Sequence, residues 1–334
     1  MSPARYRRRT ILAGLAGTLI AAPVLAQSRL KVAALFAGRI DDRGFMQAGY
    51  EGLKLAEQRL GARAIVQQGV APKPEDLTAA LRMLAAEGPD LVIAHGGQNN
   101  AAAKAVAAEF PAIRFVVTQG NVTGPNLASY EVLQEHSAFL AGMLAALTSP
   151  TGVVGHMSGI RVTPGLKGRA AYAAGVAQAD PKVTLLTNFS GNQDDNALSG
   201  RIARAMIARD ARVIFTMLNA GRAGAIDACR ELGARQIGNV GDWTAIAPDV
   251  FIGSAFADSG RALYDAVADH AAGRLAVGQV KHLGLETPEA VRLVMAPSVP
   301  PEIRSRIEAA GQAIVAGSLK VPVEWSGAEF ETPA

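Results

Sequence analysis

The sequence of 334 residues contains a single cysteine, Cys229, and only 5% of its residues are aromatic. One cysteine excludes an internal disulfide, so apolar cores have to stabilise the fold. Cys229 stands at an apolar helical position in AIDACREL, where we predict a small buried side chain rather than a reactive thiol. Because aromatic residues are scarce, an aromatic side chain in a loop between a strand and a helix is informative.

The sequence also lacks the short motifs of several enzyme classes. It has no P-loop, no GxGxxG turn after a strand and no HExxH helix, and its five histidines have no zinc-ligand spacing. The segment GHMSG is one position away from the GxSxG elbow of hydrolases, and a strand end that turns on small residues explains it better. Asp41–Asp42 and Asp194–Asp195 could hold a divalent ion, but acidic pairs in loops are usually helix caps. We therefore expect no metal and no cofactor.

Basic charge is concentrated in residues 1–26, which hold four arginines and no acidic residue. The whole chain has 33 basic and 29 acidic residues, so removal of this segment leaves equal numbers of each. Binding of nucleic acid needs a basic surface, which a balanced chain does not supply. We therefore expect no nucleic-acid partner.

An apolar segment, residues 11–22, follows these arginines and leads into a small-residue pattern that ends at Ala26. It is too short to span a bilayer as a folded helix, so it predicts a signal peptide over residues 1–26, cleaved near Ala26. Residues 8–12, RRTIL, also fit the twin-arginine pattern, and both Sec and twin-arginine export stay open. We expect the mature protein to be periplasmic.

Short apolar runs alternate with amphipathic helical segments along the rest of the chain. The first predicted helix ends at Gly61, and the second has Pro74 in its first turn. Helices between strands make crossover connections, which predict parallel sheets covered on both faces. About ten strands are too many for one open sheet, and the pattern restarts near residue 150. The fold class predicted is α/β, with two doubly wound parallel-sheet lobes and a cleft between them.

Polar and aromatic side chains follow nearly every predicted strand. Doubly wound sheets bind ligands beyond the carboxyl ends of their strands, so these side chains are candidates for a ligand site. Aromatic faces stack on a flat polar ring, and amides and carboxylates bond to its edges. The candidate ligand-binding residues are Asp42, Phe45, Met46, Gln47, Gly96, Gln98, Asn100, Tyr130, Phe189, Asn192, Asn219, Gly221, Asp242, Trp243 and Phe256.

Several candidates could equally have a structural role. Asp42 could accept a hydrogen bond from a ligand or cap the helix that starts near Gly44. Residues 98–100 stand where a helix needs an N-cap, so at least one of them should be structural. Met46 has the helical spacing of a core side chain. His95 ends a predicted buried strand, where we expect a neutral, hydrogen-bonded ring rather than a proton-transfer group.

Seven segments, taken in order, resemble the basic membrane protein family of substrate-binding proteins for ABC transporters, which has the type I periplasmic binding-protein fold. The similar segments are DDRGFMQAGYEGLKLAEQRLG, PDLVIAHGG, VAAEFPAIRFVVTQG, NLASYEVLQEHSAFLAGMLAAL, GVVGHMSG, FSGNQDD and ARVIFTMLNAGRAGAIDACRELGARQIGNVGDW. The resemblance implies a receptor rather than an enzyme. Such a receptor closes two lobes, joined by a multi-strand hinge, around a small molecule and then docks on a permease in the inner membrane.

The resemblance also implies how the chain is divided. The N-terminal lobe would comprise residues 27–131 and 256–284, and the C-terminal lobe residues 132–255 and 285–318. Residues 319–334 would form an irregular tail that docks on the body. We expect the protein to be a monomer.

The best understood members of this family bind purine nucleosides and clamp the base between aromatic rings. This sequence departs from their pattern, because Met46 stands in place of an asparagine and Thr118–Gln119 in place of an acidic residue. Ala257 stands where nucleoside binders carry a lysine that helps to hold the ribose. Asp242, the other ribose contact that the resemblance implies, is kept. We therefore expect a small heteroaromatic ligand without a sugar, first of all a purine or related nucleobase.

Three alternatives stay open. Arg222 or Arg261 could replace the missing lysine, in which case a purine nucleoside would bind. The same receptor could instead take a sugar or a small acid. A nucleoside hydrolase on the same scaffold could use Asp41 and Asp42, and turnover would reveal it, because a receptor returns its ligand unchanged.

Overall fold

The computed structural model describes residues 30–42 and 44–331. The predicted signal peptide, residues 1–26, lies outside the described residues, as do Arg43 and the last three residues of the predicted tail. Among the described helices, none is both long enough and apolar enough to cross a membrane.

Strands and helices alternate through most of the described chain, as the hydrophobic pattern predicts. The strands are β1 (Lys31–Phe36), β2 (Arg63–Gln67), β3 (Leu91–His95), β4 (Arg114–Thr118), β5 (Leu127–Val132), β6 (Val153–Ser158), β7 (Thr184–Phe189), β8 (Val213–Met217), β9 (Arg235–Val240), β10 (Phe251–Ala257), β11 (Val280–Leu283) and β12 (Val291–Met295). The helices are α1 (Phe45–Leu60), α2 (Pro74–Ala86), α3 (Asn100–Glu109), α4 (Gln134–Thr148), α5 (Thr163–Ala179), α6 (Asn196–Ile207), α7 (Arg222–Leu232), α8 (Trp243–Ile246), α9 (Ser259–Ala271) and α10 (Pro301–Val315).

The strands form two six-stranded sheets, in agreement with the predicted pair of lobes. The first sheet has the order β11-β5-β4-β3-β1-β2, and the second has the order β12-β10-β9-β8-β6-β7. Every pairing is parallel except that of β12, which runs antiparallel to β10. The sequence predicts parallel sheets, and this edge strand is the exception. The chain enters β12 from the end at which β10 leaves the sheet, so the two strands run in opposite directions.

Three segments cross between the lobes and form the hinge. They connect β5 to α4, β10 to α9 and β11 to β12. Two hydrogen bonds hold these crossings in place. The Leu133 amide donates to the Leu283 carbonyl, and the Asp258 amide donates to the Ala290 carbonyl, both at 2.8 Å. A hinge of three bonded segments allows rotation about one axis while it restricts other displacements of the lobes.

Each sheet has an apolar core on both faces. In the first lobe, α1 and α9 cover one face and α2 and α3 cover the other. In the second lobe, α4, α5 and α10 cover one face and α6, α7 and α8 cover the other. Burial on both faces explains why β3 and β8 are buried along their whole length and consist mainly of apolar residues. Cys229 lies in the second-lobe core beneath α6, α7 and α8 and is fully buried, as predicted.

Helices α4 and α5 pack with their backbones close together, as the many Ala and Gly residues of α4 predict. A Cβ atom added to Gly142 would lie 2.1 Å from the carbonyl oxygen of Tyr172. A Cβ atom added to Gly175 would lie 1.9 Å from the carbonyl oxygen of Phe139. Both distances are far shorter than a van der Waals contact, so only glycine permits this approach.

The substitution Gly175→Ala should lower the free energy of unfolding by about 1–3 kcal/mol, because the added methyl group overpacks the α4–α5 interface. Urea unfolding followed by circular dichroism measures the change. Gly311→Ala, on α10 of the same lobe, is the matched control, since its Cβ would lie 3.6 Å from Leu140 at an ordinary contact distance. Equal stability of the two variants would contradict the assigned helix packing.

Candidate ligand site between the lobes

The carboxyl ends of the strands in the two lobes face each other across a cleft. On the first lobe, residues 37–42 and 44 form a loop that we call the first lip, between β1 and α1. On the second lobe, residues 190–195 and 218–221 form the second lip, after β7 and β8. The lips touch, because Asn219 Nδ2 donates to Asp42 Oδ2 at 3.3 Å. The two sets of strand-end residues are therefore brought to one interface.

Asp42 caps α1 and contacts the second lobe at the same time. Its carboxylate accepts hydrogen bonds from the backbone amides of Gly44 (2.8 Å), Met46 (3.1 Å) and Gln47 (3.1 Å). Burial raises the pKa of Asp42, although these three bonds act in the opposite direction. The capping role considered for Asp42 is thus present in the structure, and contact with a ligand stays a prediction.

Asp41, the neighbouring carboxylate, has a different environment. Its side chain is 69% exposed and pairs with Arg39, whose Nε lies 2.9 Å from Asp41 Oδ1. The hydrogen bond from Arg39 holds the pKa of Asp41 below its ordinary value. The two acidic residues of this pair are therefore bound to separate partners and differ in exposure.

The aromatic ring of Phe45 stacks on His95 at the start of α1. Their ring centroids are 4.2 Å apart, with an interplanar angle of 21°. His95 Nε2 lies 3.0 Å from the Phe45 carbonyl oxygen, and Thr118 Oγ1 lies 2.8 Å from His95 Nδ1. Burial lowers the pKa of His95 to about 4, so the ring is neutral, and we assign the proton to Nε2 because its neighbour is an acceptor. The predicted neutral, hydrogen-bonded histidine is confirmed.

The side-chain amides of residues 98–100, after β3, make hydrogen bonds within the first lobe and also include buried oxygens without a partner. Asn99 Nδ2 donates to the carbonyl oxygens of residues 95 and 96, at 3.0 and 2.9 Å, so Asn99 holds the turn. Gln98 Nε2 also points to the residue 95 carbonyl, at 3.4 Å. Asn100 Nδ2 donates to Asn121 Oδ1 at 2.9 Å, whereas its buried Oδ1 has no hydrogen-bond partner. The Asn99 Oδ1 atom is likewise buried without a hydrogen-bond partner. An unpaired buried acceptor costs about 1–3 kcal/mol, so both oxygens are candidates that a ligand N–H would satisfy.

Backbone strain occurs at matching strand ends in the two lobes. Gln119 follows β4 with φ of 53°, and Val240 ends β9 with φ of 67°. Strands β4 and β9 occupy corresponding places in the two sheet orders. A β-branched residue with positive φ, such as Val240, is a genuine outlier. Backbone strain of this kind persists mainly at functional sites. Gly96, with φ of 106°, takes a conformation at the end of β3 that suits glycine.

The second lip is built on the backbone of Gln193. Its carbonyl oxygen accepts from the amides of Asn219 (3.1 Å) and Gly221 (3.0 Å). Asp194 Oδ1 accepts from the Ala220 amide at 3.1 Å, and Asn192 Oδ1 accepts from the Asp194 amide at 2.8 Å. Asn192 and Gly221 therefore shape the loop that presents Asn219 to the first lobe.

Trp243 lies next to a buried arginine, Arg222, to which no carboxylate of the described residues is bonded. Arg222 stacks on the Trp243 ring, with its Cζ 4.3 Å from the ring centroid, and donates to Asn239 Oδ1. The Trp243 indole N–H donates to the Asn239 carbonyl at 3.0 Å. Burial lowers the pKa of Arg222 to about 9. Asp242 caps α8, accepting from the Thr244 amide at 3.0 Å.

Three further aromatic candidates pack against charged groups within their own lobes. Phe189 is 8% exposed, and the guanidinium groups of Arg161 and Arg169 both contact its ring. The Phe256 ring is covered by Arg292, whose Cζ lies 3.7 Å from the ring centroid. Tyr130 is fully buried, and its hydroxyl donates to Asp269 Oδ2 at 2.8 Å. In this structure the Tyr130 ring belongs to the first-lobe core, because strand alternation turns it toward α9.

Other predicted residues lie close to the first lip. Met46 is partly buried and packs against both first-lobe cores, as its helical spacing suggests. Gln47 Nε2 donates to Glu51 Oε1 at 2.9 Å on the outer side of α1. Ala257 is 6% exposed at the end of β10, and Arg261 pairs with Asp265 at 2.7 Å.

Gly44, Gln193 and Asp194 belong to the lips but are absent from the predicted site. A Cβ added to Gly44 would lie 2.1 Å from Asn219 Oδ1, so this glycine allows the lobes to meet. A Cβ added to Gly159 would lie 2.0 Å from Gln193 Cγ, so the loop after β6 also supports the second lip. The acidic pair at 194–195 marks this loop in the sequence, whereas no local sequence pattern predicts its contact with the other lobe. Within the described residues, no group of three or more His, Cys, Asp or Glu side chains could hold a metal ion.

Comparison with known proteins shows what the chain is similar to. A family model described as "ABC transporter substrate-binding protein PnrA-like" matches residues 29–324. Basic membrane protein A of Borreliella burgdorferi is 26% identical over 246 residues, which are 72% of each chain. A solute-binding protein of an ABC transporter system from Aeropyrum pernix K1 has a TM-score of 0.75 at 21% identity, and the match covers 88% of this chain and 94% of that one. A second such protein, from Conexibacter woesei DSM 14684, has a TM-score of 0.71 at 23% identity, with 88% and 99% covered.

The substitution Asp42→Ala should lower the free energy of unfolding by about 0.5–2 kcal/mol, because the Gly44 amide and two amides of the first turn of α1 lose their acceptor. Thermal and urea unfolding measure this loss. Asp41→Ala is the matched control, since it removes only an exposed ion pair and should change stability by less than about 1 kcal/mol. An equal loss in both variants would show that Asp42 is not the cap.

The substitution Gly44→Ala should hold the lobes apart, because the new methyl group would overlap Asn219. Small-angle scattering should then show a larger radius of gyration than that of the wild type. The control is Asn219→Gly alone, which removes the bond to Asp42 without any overlap and should increase the radius less than Gly44→Ala does. If Gly44→Ala scatters like the wild type, the contact between the lips does not occur in solution.

Proposed function

The chain belongs to the family of PnrA-like ABC transporter substrate-binding proteins, and from this premise we propose that it is the receptor of an importer for a small heteroaromatic ligand, first of all a purine or related nucleobase. Its two lobes would close on the ring and release it unchanged to a permease in the inner membrane. The receptor would act outside the cytoplasm, after export directed by residues 1–26, and as a monomer.

The contact between the lips, Asn219 to Asp42, carries this proposal. A ligand can shift a two-state protein toward its closed form only if it binds that form more tightly. Groups from both lobes that meet only on closure satisfy this requirement, because a ligand contacts them together in one state. The hinge of three crossings provides the motion that separates them.

The polar groups of the cleft suit the edge of a neutral ring. Asn100 offers a buried acceptor without a partner, and Asn219 offers an amide from the opposite lobe. The Phe45 ring, backed by His95 on one side, supplies an aromatic face at the same strand ends. A ring N–H next to the Asn100 oxygen would relieve the cost of its burial, and a ligand without that donor would be discriminated against.

The charges at the site favour a free base over a nucleoside. Ala257, which stands where nucleoside binders carry a lysine, is buried and uncharged. Of the two arginines that could replace the lysine, Arg222 is buried and donates to Thr216 and Asn239. Arg261 is paired with Asp265. Both are committed to protein partners, so neither is placed as a ready donor to ribose hydroxyls.

The hydrolase alternative has less support from the two carboxylates. A general acid–base pair needs groups that can exchange protons with a substrate. Asp42 is bound by three backbone amides, and Asp41 is paired with Arg39 on the protein surface. The family is one of solute-binding proteins, which agrees with a receptor.

Isothermal titration of the mature chain with adenine, hypoxanthine, uracil, their nucleosides, sugars and aromatic acids tests the ligand class. We expect binding of free purine bases and no binding of the matching nucleosides. Preference for nucleosides would mean that another group holds the ribose, and a response to sugars or acids alone would reject a heterocycle. Chromatography of the mixture after incubation should recover the ligand unchanged, and turnover would identify a hydrolase.

In the same titration, Phe45→Leu should weaken binding of the purine base by about 1–3 kcal/mol, because the ligand loses a stacking face. The control is Tyr130→Phe, which removes a buried hydroxyl bonded to Asp269 in the first-lobe core and should leave the affinity unchanged. Wild-type affinity in Phe45→Leu would remove Phe45 from the site.

A further inference from the structure

The C-terminal tail from residue 319 to 331 has no helix or strand and docks on the second lobe. Its end binds the edge strand β7, where the Phe330 amide donates to the Thr187 carbonyl at 2.7 Å. Asn188 Nδ2 donates to the Phe330 carbonyl at 2.8 Å. Phe330 also packs against the second-lobe core. These bonds satisfy part of an otherwise open sheet edge and bring the adjacent residue, Glu329, to a defined place.

Glu329 binds two arginines at once. Its Oε1 lies 2.7 Å from Arg169 Nη1, and its other oxygen is bonded to Arg161 Nη2. The Arg169 side chain is only 6% exposed, and its Nε has no hydrogen-bond partner, whereas Arg161 is 54% exposed. Burial acts to raise the pKa of Glu329, but the bonds from Arg169 and Arg161 outweigh it and lower the pKa. The carboxylate is therefore ionised and neutralises one of the two positive charges.

Two aromatic rings hold the arginine pair in place. The Cζ atoms of Arg161 and Arg169 lie 4.8 and 4.9 Å from the centroid of Phe189. The Trp325 ring covers Arg169 at 4.2 Å. Trp325 folds over Gly327, where an added Cβ would lie 2.3 Å from the indole ring. The tail thus places a carboxylate and an aromatic ring on one buried arginine.

The arginine pair is continuous with the second lip. Arg161 lies in the loop after β6, and Phe189 is the last residue of β7. Gly159 in the same loop packs against Gln193, whose carbonyl holds Asn219 at the contact between the lobes. The arginine pair therefore lies next to the strand end at which the second lip begins.

We propose that Glu329 determines the charge preference of the ligand site: by occupying the arginine pair it reserves the cleft for an uncharged ring. This inference rests on the proposed function, because it concerns the ligand of that same site. Without the carboxylate, two positive charges would stand beside the second lip, and one of them is buried. A buried charge that has lost its partner is strongly unfavourable, so the site would then recruit an anion.

The test uses two rings that differ by one carboxylate, hypoxanthine and purine-6-carboxylate, in titrations of the mature chain. The wild type should bind hypoxanthine more tightly. In Glu329→Gln the ratio of the two dissociation constants should move at least tenfold toward the carboxylate. Glu331→Gln is the matched control, because this exposed residue lies two positions away in the same tail, and it should keep the wild-type ratio. A wild-type ratio in Glu329→Gln would overturn the proposal.

A second measurement does not depend on the nucleobase. Inorganic phosphate should raise the melting temperature of Glu329→Gln above its value in sodium chloride of equal ionic strength, and should raise that of the wild type and Glu331→Gln less. If phosphate has this effect but no nucleobase binds, the arginine pair is an anion site in the absence of Glu329 and the proposed function is rejected. Binding of bases, together with an unchanged ratio and no phosphate effect, would reject the role of Glu329 alone.

A variant at the exposed arginine avoids loss of the buried ion pair. Arg161→Glu keeps Glu329 bound to Arg169 and adds negative charge at the lip, so it should fold and shift the ratio further toward hypoxanthine. A shift toward the carboxylate in this variant would contradict the proposal even if Glu329→Gln failed to fold.

Discussion

The carboxylate of Asp42 links the start of α1 to the second lobe. It accepts hydrogen bonds from three backbone amides at the start of α1 and from the side-chain amide of Asn219 in the other lobe. The hydrogen bond across the cleft favours the closed form only modestly, because a typical hydrogen bond contributes about 1 kcal/mol to stability. A ligand that adds contacts to both lips can therefore shift the balance between open and closed forms.

The rest of the site follows from how the lips are supported. The first lip rests on the stacked pair of Phe45 and His95, and the second on the Gln193 carbonyl that binds Asn219. Positive φ at Gln119 and Val240 indicates that the surrounding structure imposes these strand ends. Rigid supports of this kind reduce the entropy that is lost when a ligand is bound.

Charge is distributed unevenly around the cleft. Arg222 is buried beneath Trp243 with neutral acceptors, whereas Arg161 and Arg169 share the carboxylate of Glu329. The structure thus has two ways to place a guanidinium near the second lip, one with and one without a counter-ion. Electrostatic interactions are stronger in a closed, dry cleft than in water, so these arrangements bear directly on which ligands can be held.

Hydrophobic periodicity and turn residues act locally, so the α/β class, the two sheets, the end of α1 before Gly61 and the start of α2 at Pro74 could be predicted from the sequence. The sequence also predicts that polar groups follow the strands, and that His95 and Cys229 are buried. Which of these groups come into contact depends on how the elements pack in three dimensions. The contact of Gly44 with Asn219, the antiparallel β12 and the docking of Glu329 on Arg169 join residues far apart in the chain, and local patterns carry no information about such pairs. Tyr130 shows the same limit, since its strand-end position favoured the site and its packing against α9 placed it in the core.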